Sequence, residues 1–195
     1  MRTTRAMRRL ADDLLADARL TPPAEVASII GSLCAAYGRR RGGDRKVDFH
    51  FASFPADTAS GLWLELDEHD LLVIEERTRP EHQLVIACHE LWHVDEGTCI
   101  SLDHGYGMAV AARLTACHGD LAGLLRSDTG LSTVIRQAAA RADHEDPAEI
   151  RAEIFGLHLG KLLKPYLPRP RAEQFPEAIE RINTSLGWGR PASPR

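Results

Sequence analysis

The chain has 195 residues, 44% hydrophobic and 27% charged, a composition typical of one globular domain long enough to form a core. Its net charge of -4 is uneven: residues 47–160 contain 7 Lys and Arg against 20 Asp and Glu, whereas both ends are basic. An acidic middle suits a divalent cation better than a nucleic acid, and we expect no direct nucleic-acid binding. The arginines of the N-terminus are better explained as solvated helix faces, with a nucleic-acid binder as the minor alternative. Four cysteines without a Cys-x-x-Cys pair, and no segment typical of a signal peptide or membrane span, predict a reduced, cytoplasmic protein.

The first 45 residues predict two helices. Apolar side chains recur at helical spacing over residues 4–20 and share one face. A Thr-Pro-Pro segment ends this helix, and its last proline suits the first turn of a second helix over residues 23–37. The glycines and arginines of residues 38–43 predict an exposed loop.

The period of the pattern changes after residue 46. Residues 47–51 alternate like a half-buried strand, and the apolar segments 61–66 and 71–74 predict two more strands. The polar residues 67–70 between the last two predict a short hairpin connection. Three consecutive strands favour an antiparallel meander. The sequence therefore predicts an α+β fold with a small three-stranded antiparallel sheet.

The next helix, from about residue 79, contains the motif His-Glu-x-x-His at His89, Glu90 and His93. Histidines four residues apart lie one above the other on a helical face, so both imidazoles can reach one metal ion. The Glu beside the first can take a proton from an attacking water. A separate apolar stripe is predicted to pack on the core: Leu84, Val85, Cys88, Leu91 and Trp92.

A zinc hydrolase needs a third protein ligand, and two regions offer one. Asp103 belongs to an Asp-x-x-Tyr-Gly segment similar to that of aspzincins, and His104 beside it is a weaker alternative. Glu149 lies at the start of a helix predicted to run to residue 163. A ligand Glu on a separate helix is the gluzincin arrangement. Glu153 lies one turn later, where an acid can hydrogen-bond a ligand histidine or serve as the ligand itself.

Glu149 also has a purely structural interpretation. Asp146, Pro147 and Glu149 occupy the N-cap, first and third positions of this helix, so Glu149 could simply complete a capping box. Glu153 could likewise be a surface residue paired with Arg151 or Lys161. We favour Glu149 as the third ligand, with Asp103 as the alternative.

The order of two helices, three strands, the histidine motif and a later helix resembles the ImmA/IrrE metallopeptidases. The segment from Glu149 to Gly156 is similar to their Glu-x-x-Ala-x-x-Phe-Ala pattern, with Gly156 for the last Ala. The Gly-Leu-Trp-Leu strand that begins at Gly61 resembles the actinobacterial toxin-component branch. The resemblance implies a zincin-like metallopeptidase domain over residues 1–163, followed by a proline-rich linker, a short helix and a disordered tail over residues 164–195.

Within that domain, the resemblance implies N-terminal helices over 1–45, the sheet and motif helix over 46–95, and a helical insert with the third-ligand helix over 96–163. It implies Zn²⁺ bound by His89, His93 and Glu149, with Glu90 as the catalytic acid and base.

The expected activity is cleavage of a regulatory protein, either a helix-turn-helix repressor or an antitoxin, with no membrane involved. Tyr106 or His104 is a candidate oxyanion donor. One residue departs from the family pattern: Trp92 stands before the second histidine, where a small residue is usual. The indole either fills the core or narrows the cleft. A narrowed cleft motivates an alternative function: a metal-binding regulatory module or toxin component that holds a partner without proteolysis.

Overall fold

In a computed structural model, the described residues are 3–43, 45–54, 59–65, 69–97 and 146–168. They form the predicted α+β fold, with four α-helices and one three-stranded sheet among them. The elements are α1 (Arg5–Ala18), α2 (Val26–Arg40), β1 (Lys46–Ala52), β2 (Gly61–Glu65), β3 (His69–Glu75), α3 (Pro80–Glu96), α4 (Pro147–Leu163) and a 3-10 turn (Lys164–Tyr166). None of the described helices has the length and apolar character needed to span a membrane. The predicted helical insert before residue 146, and the short helix and tail predicted after residue 168, lie outside the described residues.

The two N-terminal helices are confirmed, but both boundaries of the second are shifted. It continues to Arg40, so residues 38–40, predicted as the start of an exposed loop, are helical and Gly38 is buried. Thr4 caps α1 by accepting a hydrogen bond from the Met7 backbone N–H, and the predicted apolar face of α1 is buried. The second helix begins at Val26 and not at residue 23. Just before the helix, the Ala24 N–H donates to the Tyr166 carbonyl 2.8 Å away. This bond ties the entry of α2 to the end of α4.

The predicted meander is wrong, because the sheet is mixed and β3 lies in its centre. The strand order is β1-β3-β2, with β1 parallel to β3 and β2 antiparallel to β3. The apolar run Leu71–Ile74 is buried along its whole length. A continuous apolar run is typical of a strand covered on both faces, and the central strand β3 has such a run.

The predicted hairpin connection is also too long, because His69 and Asp70 belong to β3. Asp70 is fully buried and accepts hydrogen bonds from three side chains. The guanidinium of Arg45 donates at 2.9 and 3.0 Å, that of Arg41 at 3.1 Å, and the indole N–H of Trp63 at 3.0 Å. These contacts tie the loop after α2 to the centre of the sheet.

Helices α3 and α4 pack together in the core. The rings of Trp92 and Phe155 lie 4.9 Å apart between their centroids. Near the end of α3, Glu96 accepts two hydrogen bonds from the guanidinium of Arg151, at 2.7 and 3.0 Å. This helix pair brings the two separately predicted parts of the metal site, the motif ending at His93 and Glu149, 56 residues later in sequence, into contact.

Candidate metal centre

Two neighbouring rows of residues on α3 contact different elements, α4 and β2. Val85 and His89 lie four residues apart and face α4, where both meet Gly156. Ile86 and Glu90, on the adjacent row, face the start of β2. The expectation that the histidines lie away from the packing surface is wrong, because α3 is buried on most of its circumference and His93 is only 7% exposed.

The N-terminus of α4 presents Glu149 to the histidines. Asp146 is the N-cap and its carboxylate accepts from the Ala148 N–H at 2.8 Å, with Pro147 in the first turn, as predicted. The carboxylate of Glu149 reaches across to α3 instead of only completing a capping box: its Oε2 lies 3.3 Å from Nε2 of His89 and 3.4 Å from Nε2 of His93.

The three ligand atoms form a nearly equilateral triangle. The two Nε2 atoms are 3.0 Å apart, and the Glu149 oxygen closes the other edges at 3.3 and 3.4 Å. In a tetrahedral site with bonds of 2.0 to 2.1 Å, two ligand atoms are separated by about 3.3 Å. His89, His93 and Glu149 therefore could hold a metal ion. With two neutral imidazoles and one carboxylate, the three ligands together carry a single negative charge, which suits a divalent cation.

The site is half-enclosed. The side chains of His89 and Glu149 are 24% and 21% exposed, and that of His93 is 10% exposed. A catalytic metal site keeps one coordination position open to water or substrate, whereas a structural site is closed by four protein ligands. Among the described residues, three side chains converge on the site and two of them are partly exposed.

Hydrogen bonds and charges around the triad shift the pKa values of Glu149 and His89. Hydrogen bonds from His89 and then His93 hold the pKa of the Glu149 carboxyl well below its usual range. Burial alone would lower the pKa of the His89 imidazole, but the hydrogen bond to Glu149 and the charges of Glu90, Glu149 and Glu153 together raise it. The carboxylate thus remains ionised beside the two rings and provides a negative charge for a cation.

Glu90 is not part of the triad but is buried next to it, at 7% exposure. Burial raises the pKa of its carboxyl, against the opposing charges of His89 and His93 and a hydrogen bond from the Trp63 backbone. Gly61 makes room for it, since a Cβ at that position would lie 2.4 Å from Oε1 of Glu90 and 2.6 Å from Cγ2 of Ile86. Strand β2 therefore fixes the position of this carboxylate.

The remaining predicted residues divide into two groups. Glu153 is exposed and acts on His89 through its charge, while Arg151, its predicted partner, pairs with Glu96. The alternative third ligand Asp103 and the candidate oxyanion donors His104 and Tyr106 lie outside the described residues.

Trp92, the departure from the family pattern, is a core residue. It is 5% exposed and packs against Phe155 of α4. Cys88 is likewise fully buried in the same core, as predicted for a structural thiol. Neither side chain belongs to the triad.

Three contributors to the site were not predicted: Gly61, the backbone of Trp63, and Gly156. Two of them carried a signal. An isolated Gly at a strand suggests a close approach by another group, and Gly156 and Gly160 are spaced one turn apart on a helix where Gly is unfavourable.

Fold and site together define an α+β protein with a His-His-Glu triad that could hold a metal ion. No protein-family model matches the chain, and neither a curated protein nor a solved structure does. The family resemblance therefore remains a prediction from the motifs.

Proposed function

We propose that the chain is a zinc-dependent peptidase with a zincin-like arrangement, in which His89, His93 and Glu149 bind Zn²⁺ and Glu90 is the catalytic acid and base. The observation that carries the proposal is the triangle of ligand atoms with edges of 3.0 to 3.4 Å, formed by residues from two helices and adjacent to a buried glutamate. Two nitrogen ligands and one carboxylate form the ligand set of several zinc hydrolases.

When bound, zinc would supply Lewis-acid activation of water and of the scissile carbonyl. Glu90 would take a proton from the attacking water and return it to the leaving amine. Its burial supports this role, because a general base works best when its pKa is raised toward the working pH. Gly61 and the Trp63 backbone would keep the Glu90 carboxylate in place during both proton transfers.

The proposed substrate is an extended segment of another protein, bound along β2. Among the described strands, β2 pairs only with β3. The backbone of Trp63 in β2 hydrogen-bonds Glu90, so the other edge of β2 faces the side on which Glu90 lies. A peptide that adds to a sheet edge is held by backbone hydrogen bonds. In keeping with the resemblance, we propose a cytoplasmic regulator, a helix-turn-helix repressor or an antitoxin, as that protein.

Two features motivate the alternative, binding without proteolysis: Trp92, whose indole packs in the core, and the long insert between the motif helix and α4, which lies outside the described residues. The two functions still make opposite predictions for Glu90. A peptidase needs the carboxylate, whereas a binding module needs only the surface around it.

The test combines metal analysis with a cleavage assay. Purified wild type, His89→Ala and Glu90→Gln are analysed for zinc, then incubated with a proteome-derived peptide library whose new termini are identified by mass spectrometry. We expect one zinc per chain in the wild type and in Glu90→Gln, and none in His89→Ala. Glu90→Gln should cleave at least about a hundredfold more slowly. A wild type without stoichiometric metal, or full cleavage by Glu90→Gln, would overturn the proposal.

A further inference from the structure

The contact between α3 and α4 is closest where two glycines of α4 meet α3. A Cβ at position 156 would lie 2.8 Å from the backbone oxygen of Val85 and 3.2 Å from both the backbone nitrogen and Cβ of His89. A Cβ at position 160 would lie 2.7 Å from Cγ2 of Val85. Both glycines are buried. The first therefore touches the very residue that supplies a metal ligand.

Helix formation does not explain these glycines, because Gly is less favourable than every residue except Pro in a helix interior. Their sites are crowded, so the absence of a side chain is what permits the observed distance between the helices. The same distance determines whether Glu149, two turns earlier on α4, reaches the histidines at 3.3 and 3.4 Å.

We infer that Gly156, supported by Gly160, is a positioning residue of the metal centre: it sets the spacing between α3 and α4 at which Glu149 completes the ligand triangle. The inference rests on the metal site of the proposed function but not on peptidase activity. The ImmA/IrrE pattern has Ala at this position, but at the helix spacing of this chain a methyl group at 156 must displace α4 from α3, since the atom it meets is a backbone oxygen that no change of rotamer can move. Glu149 then moves away from both imidazoles.

The two glycines differ in a way that makes the inference testable. The obstacle at 160 is the Val85 side chain, and Val85→Ala would leave only contacts of 3.4 and 3.5 Å to the backbone of that residue. The obstacle at 156 is the backbone of Val85 and His89, which no side-chain deletion relieves. Rescue by Val85→Ala is therefore expected at 160 and not at 156.

Gly31 offers a matched control. It lies inside α2, and a Cβ there would meet only Cε1 of Phe49 at 3.5 Å, an ordinary contact. Gly31→Ala makes the same chemical change in a helix interior without crowding the metal site. It corrects for any general effect of replacing Gly by Ala on helix stability.

The experiment measures zinc affinity by competition with a chromophoric chelator, together with the visible spectrum after Co²⁺ substitution, which reports ligand geometry. We expect Gly156→Ala to bind roughly ten- to a hundredfold more weakly than wild type, as for other residues that orient metal ligands. Gly160→Ala should bind more weakly, Val85→Ala/Gly160→Ala should regain wild-type affinity, and Gly31→Ala should match wild type. Gly156→Ala combined with Val85→Ala should stay weak.

Circular dichroism of the metal-free variants establishes which of them fold. If Gly156→Ala does not fold, the pair Gly160→Ala and Val85→Ala/Gly160→Ala decides. Wild-type affinity in both Gly156→Ala and Gly160→Ala overturns the inference, and so does an affinity loss in Gly160→Ala that Val85→Ala fails to restore. Failure of the wild type itself to bind zinc is a separate result, which removes the proposed function.

Discussion

Two carboxylates in this chain, the buried Asp70 and the partly exposed Glu149, show what separates a structural ion cluster from a site that can take a metal. Asp70 is enclosed by donors, because two guanidinium groups and an indole N–H occupy its oxygens at 2.9 to 3.1 Å. Glu149 instead faces two imidazoles, whose Nε2 atoms carry lone pairs when the rings are neutral and protonated on Nδ1. At Asp70 the protein itself supplies the positive charge, from two arginines. At Glu149 it supplies three atoms that could bind a cation.

Asp70 and Glu149 also differ in the elements that supply their contacting side chains. The donors to Asp70 belong to the loop after α2 and to the neighbouring strand, so the cluster holds the sheet to the N-terminal helices. The triad joins α3 to α4 at a half-exposed surface. We therefore expect the Asp70 cluster to govern stability and the triad to govern metal binding.

Loss of Glu149 should produce the largest effect. Glu149→Ala removes one of three protein ligands, and we expect zinc affinity to fall on the order of a hundredfold or more. Chelator competition measures this. Glu153→Ala, on the exposed side of the same helix, is the comparison variant and should lose no more than about tenfold. Equal affinities in Glu149→Ala and wild type would remove Glu149 from the site and return Asp103 to consideration.

Loss of Asp70 should affect stability instead. Asp70→Asn leaves Arg41 and Arg45 without their buried counter-charge, and we expect the free energy of unfolding to fall by about 3 kcal/mol. The arginines are 39% and 23% exposed and can partly turn to solvent, which places the loss at the low end of the range for buried pairs. Urea unfolding measures it, and zinc affinity should stay within about twofold of wild type. Unchanged stability, or lost metal binding, would show that the two clusters are not separate.

These two clusters were not equally predictable from sequence. The triad could be predicted because it is built from a short motif and a helix-start signal: the spacing of His89 and His93 is local, and Asp146-Pro147 identifies the helix that carries Glu149. The Asp70 cluster could not, because it depends on which strands are neighbours. Asp70 was assigned to a connection when β2 and β3 were predicted as parts of a meander.

Strand order was the part that sequence reasoning got wrong, and the reason is physical. Periodicity indicates that a segment is a strand, but pairing depends on the faces that other elements cover. The signal that favoured the observed order was the uninterrupted apolar run Leu71–Ile74, which required cover on both faces. The close contacts of Gly61 and Gly156 likewise arise only when elements from distant parts of the chain meet.

Glu90 is buried as Asp70 is, and its position depends on steric room at Gly61. Gly61→Ala should lower the free energy of unfolding by about 1 to 3 kcal/mol, because the methyl group crowds Glu90 and Ile86. Glu90→Ala removes one of these contacts, so the cost of Gly61→Ala should drop in that background by at least about 0.5 kcal/mol. A double-mutant cycle in urea measures the coupling. Glu65→Ala, an exposed glutamate on the same strand, should be additive with Gly61→Ala. Additivity with Glu90→Ala as well would mean that Gly61 does not position Glu90.

The smallest expected effect concerns Glu75, a carboxylate held by protein donors as Asp70 is, but closer to solvent. Burial opposes ionisation of Glu75, yet hydrogen bonds from Arg77 and the Phe54 backbone lower its pKa. A carboxyl with a lowered folded-state pKa adds stability above its unfolded pKa of about 4.3. That stability is lost as the pH falls through the folded value. The difference in unfolding free energy between wild type and Glu75→Gln should therefore shrink as the pH is lowered below about 4. Leu157→Ala, an exposed change without a titrating group, should show a constant difference, and a constant difference for Glu75→Gln would contradict the assignment.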